Sequence, residues 1–402
     1  MSLFEKFHAI KQAREEILQN GINPFHLTVE KIHSPTEGVI NGRRTILVGT
    51  NNYLGLTFHP DCIQASQEAL AQEGTGTTGS RMANGSFSSH NDLERAIADF
   101  YGVPHAIVFS TGYQANLGVL SGLAGPGDTI LMDGDSHASI YDGCRLGGAE
   151  VLRFKHNDVA DLDKKLRRLK DRSRKTLILV EGIYSMLGDR APLKDIVEIK
   201  KHYGATLVVD EAHSLGVLGK RGRGLAEEDE VERDVDCIVG TFSKSLGSTG
   251  GFGVSIHPEF EFIRYTSRPY IFTASPCPSV VASTKVAIRI IRETPKLRRQ
   301  LWENAQALYD GLEHNGYTLG APVGPVIAAM IPSKEQALAM WQGLLEQGIY
   351  VNLMIPPATP NGESLLRCSV SAAHTPKQLE TIIQSFANVH SVLNEQATSL
   401  SN

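Results

Sequence analysis

The chain has 402 residues, 41% hydrophobic and 21% charged, which excludes a disordered or fibrous protein and exceeds what one hydrophobic core usually holds. A formal charge of −5 excludes the broad basic face that bulk nucleic-acid binding needs, though a local basic patch remains compatible with it. Five scattered cysteines without a C-x-x-C pair signal neither a disulfide framework nor a zinc site, and no apolar run reaches the roughly 18–20 residues that span a bilayer.

Residues 1–20 place Phe4, Phe7, Ile10, Ile17 and Leu18 at near-helical spacing among charged residues. That predicts an amphipathic helix, packed on its own protein or docked on a partner subunit or membrane surface. Glu5, Glu15 and Glu16 take the place of a secretory apolar region, so a cytoplasmic protein with at most peripheral membrane contact is expected. Asn23-Pro24 breaks the helix, and 44–48 reads as a short strand leading into Asn51-Asn52-Tyr53. The run Gly74-Thr75-Gly76-Thr77-Thr78-Gly79 matches G-x-G-x-x-G, but the dinucleotide fingerprint must follow a strand and open a helix. Here it follows a helical stretch and leads into loop, so a nicotinamide site is rejected. Asn91-Asp92-Leu93-Glu94 offers a capping box for a helix whose apolar stripe is Leu93, Ile97 and Phe100.

From residue 106 the pattern alternates regularly: strands over 106–109, 129–132, 150–154 and 176–180, with helices from Tyr113, from Ala138 and over 159–169. Such alternation argues for a mainly parallel sheet covered by helices on both faces. The helix near Gly112 opens directly after a strand, so its free N–H groups could hold a phosphate, although the residues alone favour a plain helix N-terminus.

Two later strand ends carry the chemistry. Residues 206–210 form a buried strand ending in Asp210, followed by Glu211-Ala212-His213; 237–240 form another, followed by Thr241-Phe242-Ser243-Lys244. A lysine in a shielded pocket can lose its proton and attack a carbonyl to form a Schiff base. Thr241 and Ser243 could bind phosphate, and an aspartate at a strand end can pair with a protonated pyridine nitrogen. Taken singly, the lysine reads as a solvated loop residue and the aspartate as readily a helix N-cap; together with His213 they point to one site. Helical patterns over 279–292 and 297–315, strands at 326–331 and 365–369, and helices near 334–347 and 376–393 suggest an α+β cap. The expected domains are an N-terminal helix and arm (1–45), a large cofactor-binding domain (46–280) and a small C-terminal domain (281–402).

These motifs resemble those of the α-oxoamine synthases, which are fold type I pyridoxal phosphate enzymes. The likeness rests on Val209-Asp210-Glu211-Ala212-His213-Ser214-Leu215-Gly216 and Gly240-Thr241-Phe242-Ser243-Lys244-Ser245, and it extends through Asn51 to Leu56, Gly76 to Arg81, Thr111 to Asn116 and His137-Ala138-Ser139. The resemblance implies a fold type I transferase with a smaller α+β C-terminal domain, pyridoxal 5'-phosphate as cofactor and no metal. Lys244 would carry the cofactor as a Schiff base and act as base at the substrate α-carbon. Asp210 would pair with the ring nitrogen, His213 and Ser185 with the ring hydroxyl, and His137 would lie against the ring face. Gly112, Tyr113, Thr241 and Ser243 would bind the phosphate, with Thr273 of a second subunit, which implies a homodimer with a shared active site. Asn52 and Tyr53 would approach the substrate across that interface, and Arg367 would clamp its carboxylate.

Three further stretches, 142–147, 184–189 and 356–360, narrow the resemblance to a member that condenses L-serine with a long-chain acyl-coenzyme A and releases carbon dioxide. Other members, using other amino acids and acyl donors, stay open at this point. Ile355 stands where some of these enzymes carry an additional arginine, so Arg367 and His137 are expected to hold the carboxylate alone, under a largely apolar loop.

Overall fold

In the computed structural model, which describes residues 3–18, 23–356, 359 and 362–400, the apolar runs of the central chain become one seven-stranded sheet. The chain divides into two compact units: Asn51–Glu303 with Ser371–Ala373, and Met1–Thr50 with Asn304–Val370 and His374–Asn402.

The first of these holds the large sheet, in spatial order His105–Phe109, Gly251–Ser255, Cys237–Thr241, Thr206–Asp210, Thr176–Glu181, Thr129–Asp133 and Glu150–Phe154. The last five run parallel, and Gly251–Ser255 is antiparallel to both its neighbours. Thr129–Asp133, Thr176–Glu181 and Cys237–Thr241 are buried along their whole length, which is why they read as uninterrupted apolar runs. Ile107, Phe109, Val119, Leu120, Ile130 and Met132 join one core, each fully buried side chain contributing about 1.5–3 kcal/mol.

The antiparallel strand was not foreseen, because Gly251-Phe252-Gly253-Val254-Ser255 alternates glycine with larger residues and carries little apolar signal. The glycines have a packing reason. A Cβ on Gly253 would lie 2.8 Å from Phe260 and Val119, and one on Gly240 would lie 2.5 Å from the Phe252 ring.

Parallel strands present their carboxyl ends along one edge, and helices begin there. Gly112–Leu123 is capped by Thr111, whose Oγ1 accepts from Gln114 N at 3.1 Å; Ala138–Gly147 is capped by His137, whose Nδ1 accepts from Ser139 N at 3.2 Å. The capping box expected with Asn91 as N-cap is a correction: the helix spans Ser88–Tyr101 and its N-cap is Phe87, four residues earlier. His90 Nδ1 accepts from Phe87 N at 3.2 Å, while Glu94 is buried and holds Arg81 and Arg264.

The second unit contains two small sheets. Lys31–Ser34, Glu37–Ile40 and Arg43–Leu47 form a meander to which Ile349–Tyr350 adds in parallel. Val326–Ile331, Ser364–Ser369 and Asn352–Met354 make an antiparallel three-stranded sheet. The N-terminal segment therefore shares a unit with the C-terminal strands, where a separate 1–45 arm had been expected. Helix Pro278–Glu293, which straddles the expected boundary at 280, packs on Pro60–Glu73 and Ser88–Tyr101 in the unit of the large sheet. The amphipathic helix forms over His8–Leu18, but Phe4, Phe7 and Ile10 are exposed in the single chain, against the first of the two expectations, packing on its own protein.

Candidate active site

At the carboxyl edge of the large sheet lies a cavity of about 300 Å³. Gly112, Tyr113, Asp210, His213, Thr241, Ser243 and Lys244 all line it, and so does His137. These residues come from four separate strand-to-helix or strand-to-loop junctions, so the sheet assembles them.

Asp210 is 6% exposed, and both its carboxylate oxygens are engaged. Oδ2 accepts from Asn116 Nδ2 at 2.7 Å and Oδ1 from Ala212 N at 2.9 Å. Two donors fix the orientation of this buried carboxylate at the cavity. Asn116 Nδ2 also donates to Ser139 Oγ at 2.9 Å, and Ser139 Oγ meets His137 Nδ1 at 2.7 Å. Because His137 Nδ1 accepts from Ser139 N, the neutral ring carries its proton on Nε2. Burial pushes the His137 pKa down, Lys244 adds to that effect and Asp210 opposes it.

His213 Nδ1 is 2.7 Å from the hydroxyl of Tyr53, which is fully buried in the same chain. Tyr53 was expected to act across a subunit interface; within one chain it already orients His213. Glu181, at 3% exposed, also lines the cavity, and its Oε1 accepts from His137 N at 2.5 Å. Burial first, then the charge of Asp210, holds its carboxyl well above the usual range.

Around Gly112 the backbone leaves no room for a side chain. A Cβ there would come within 2.7 Å of Thr241, and one on Gly251 within 2.6 Å of Gly112 Cα. The helix start thus lies directly against the strand end, beside the Thr241 and Ser243 hydroxyls, which are 2.9 Å apart. A helix N-terminus, two hydroxyls, an anchored aspartate and a lysine on one cavity fit the phosphate, ring nitrogen and aldehyde carbon of pyridoxal phosphate.

The other expected residues fall outside the cavity wall. Thr273 Oγ1 accepts from Gln114 Nε2 of its own chain at 3.2 Å. Ser185 is half-buried in the turn after Thr176–Glu181. Asn52 Nδ2 donates to Thr57 Oγ1 at 2.7 Å. Arg367 belongs to the other unit; it is 3% exposed on Ser364–Ser369 and donates to Ser369 Oγ at 3.1 Å. Ile355 is buried, and residues 357, 358 and 360 of the expected loop lie outside the described residues.

Sequence reasoning missed Asn116, Ser139 and Glu181 as site residues. Asn116 had a readable signal: it stands one helical turn after Gly112, on a helix that opens at a strand end. Glu181 had another, a carboxylate closing an apolar strand as Asp210 does.

A profile described as aminotransferase class I and II matches residues 43–386. A serine palmitoyltransferase of Caulobacter vibrioides (strain NA1000 / CB15N) is 57% identical over 393 residues, covering 98% of this chain and 97% of the relative. A high-resolution structure of a serine palmitoyltransferase with its pyridoxal phosphate internal aldimine superposes with TM-score 0.96 at 50% identity, covering 98% of this chain and all of that one. The 8-amino-7-oxononanoate synthase of Francisella tularensis gives TM-score 0.75 at 25% identity, covering 88% and 99%. Likeness of this extent, spread along nearly the whole length, leads to one conclusion: the chain belongs to the class I and II aminotransferase family and, within it, to the pyridoxal phosphate-dependent α-oxoamine synthases.

Proposed function

We propose that this chain condenses L-serine with a long-chain acyl-coenzyme A such as palmitoyl-CoA, giving 3-oxosphinganine, carbon dioxide and coenzyme A, the first step towards sphingolipids. A bond forms between the serine α-carbon and the acyl carbonyl carbon, while the thioester C–S bond and the bond from the α-carbon to the carboxylate break. The observation that carries this reading is that Lys244 and the doubly anchored Asp210 open on one cavity with His137 and His213 in its wall.

Bound pyridoxal phosphate supplies the electron sink for the pair left at the serine α-carbon. Lys244 provides the primary amine that holds the cofactor and then moves the α-proton. Asp210, held by Asn116 and the Ala212 amide, would pair with the ring nitrogen. His213, oriented by Tyr53, would meet the ring hydroxyl with Ser185, His137 would lie against the ring face, and Arg367 would clamp the serine carboxylate. Gly112, Tyr113, Thr241 and Ser243 hold the phosphate, joined by Thr273 of a second copy, so the working unit is a homodimer. Asn52 lines the substrate approach beside Tyr53. No helix among the described residues is long and apolar enough to cross a membrane.

The deciding assay measures coenzyme A release from purified protein with serine, glycine and alanine against short and long acyl donors. Serine with a long-chain donor is expected to be the fastest pair. Glycine or alanine winning with a short donor would move the chain to another branch of the same family. Borohydride reduction followed by peptide mass spectrometry is expected to place the cofactor adduct on Lys244, and Lys244→Ala to retain no covalent cofactor and no turnover.

A further inference from the structure

We propose that Glu181 is a positioning residue that fixes His137 over the cavity through the His137 backbone amide. The inference rests on the role of His137 read above. His137 is the N-cap of Ala138–Gly147, so its own N–H lies outside the helix and takes no part in the helical ladder. Glu181 Oε1 accepts that N–H at 2.5 Å, while Ser139 holds the ring from the other side through Nδ1. Held at amide and ring, the histidine has little freedom to swing away from the cavity.

Glu181 reaches this place because it closes Thr176–Glu181, where it pairs in register with Asp210 on the neighbouring strand. The two carboxyls stand side by side but are supported unequally. Asp210 takes a donor on each oxygen, from Asn116 and Ala212, whereas Glu181 takes the one amide of His137. Burial, reinforced by Asp210 and Asp133, raises the Glu181 pKa against the opposing pull of the His137 amide and Lys244. Glu181 works here as the acceptor of the His137 N–H, a role that the amide oxygen of glutamine can copy in shape.

The test uses the cofactor-loaded protein, with serine affinity read from the shift in the cofactor absorption band, and the cofactor affinity of the stripped protein read separately. Glu181→Ala is expected to weaken serine binding by about tenfold or more and cofactor binding by less than about threefold, with Glu181→Gln restoring serine affinity to within about threefold of the parent. Because Glu181 acts through His137, adding Glu181→Ala to His137→Ala should cost no further serine affinity. If Glu181→Ala does not accumulate as folded protein, Glu181→Asp, one methylene short of the amide, carries the same expectation.

Unchanged serine affinity in Glu181→Ala or Glu181→Asp, alongside a weakened His137→Ala, overturns this proposal alone. So do additive losses in the double variant, or a Glu181→Gln as damaged as Glu181→Ala. Unchanged serine affinity in His137→Ala removes the reading of His137 itself, and this proposal with it.

Discussion

At the scale of single residues, the site depends on neighbours that set the state of the reacting groups. Asn116 is the clearest case, since its amide reaches both Asp210, proposed to pair with the ring nitrogen, and Ser139, which bonds His137. Asn116→Ala leaves one oxygen of a buried carboxylate without that donor. A hydrogen bond to a charged group contributes about 1.5–3 kcal/mol, so cofactor affinity should fall roughly 10- to 150-fold. Equilibrium dialysis of stripped protein against pyridoxal phosphate checks this; an unchanged dissociation constant would show that Asp210 is not part of the cofactor site. Arg367 supports a second prediction. A guanidinium matches a carboxylate with two parallel hydrogen bonds, and Ile355 cannot take over that task. Arg367→Ala should weaken serine by about 1.5–3 kcal/mol in a spectral titration, with cofactor binding retained. Undiminished serine affinity would remove Arg367 from the clamp.

At the scale of elements, the strand-end turns are tied together by His156. Its Nδ1 is 2.7 Å from Asp133, at the end of the strand leading to His137, and its Nε2 is 2.7 Å from Asp189, in the turn that follows Ser185. Asp135 lies close enough to feel its charge, and the Tyr184 ring meets the imidazole edge-on at 4.5 Å. Burial opposes a charge here, yet the hydrogen bonds to Asp133 and Asp189 prevail and push the His156 pKa from 6.5 up to about 10. A folded-state pKa above the unfolded value means that the folded protein binds the proton more tightly. The stabilisation is thus complete below about pH 6.5 and fades as pH rises through about 10. At pH 7 His156→Ala should cost roughly 3–5 kcal/mol, because it leaves Asp133 buried without its cation. Urea unfolding of both proteins across this pH range provides the check: the stability gap should narrow towards pH 10, and a gap independent of pH would refute the charged bridge.

At the scale of the whole molecule, the question is whether two chains complete one site. Phe272, next to Thr273, is 71% exposed in the single chain, and Tyr265 and Phe262 are 65% and 64% exposed. A twofold dimer that covers Phe272 and lends Thr273 to the facing phosphate site makes a specific forecast. Thr273→Ala and Lys244→Ala each impair the site, but in a hybrid of the two variants one site regains an intact Lys244 with an intact Thr273 from the other chain. Co-expression with separate tags should recover up to about half of the parental activity in the purified hybrid. A hybrid no more active than its parents would mean that each chain carries its own complete site.

The alternation of strands and helices, and the residues at their ends, could be read from the chain because a parallel strand buried on both faces must be apolar throughout and must deliver its last residue to the sheet edge. That logic located Asp210, His213 and Lys244, and the motif likeness supplied their chemistry. It could not show Gly251–Ser255, whose Gly251 lies against the backbone of Gly112 and whose Gly253 lies against Phe260 and Val119. It also could not show that Tyr53 orients His213, that Asn116 anchors Asp210 or that Glu181 holds the His137 amide, since each of these bonds joins residues separated along the chain by 44 positions or more. Periodicity and local spacing report which face of an element is buried. Which polar group satisfies which across the sheet edge depends on register and strand order, and only the folded chain decides those.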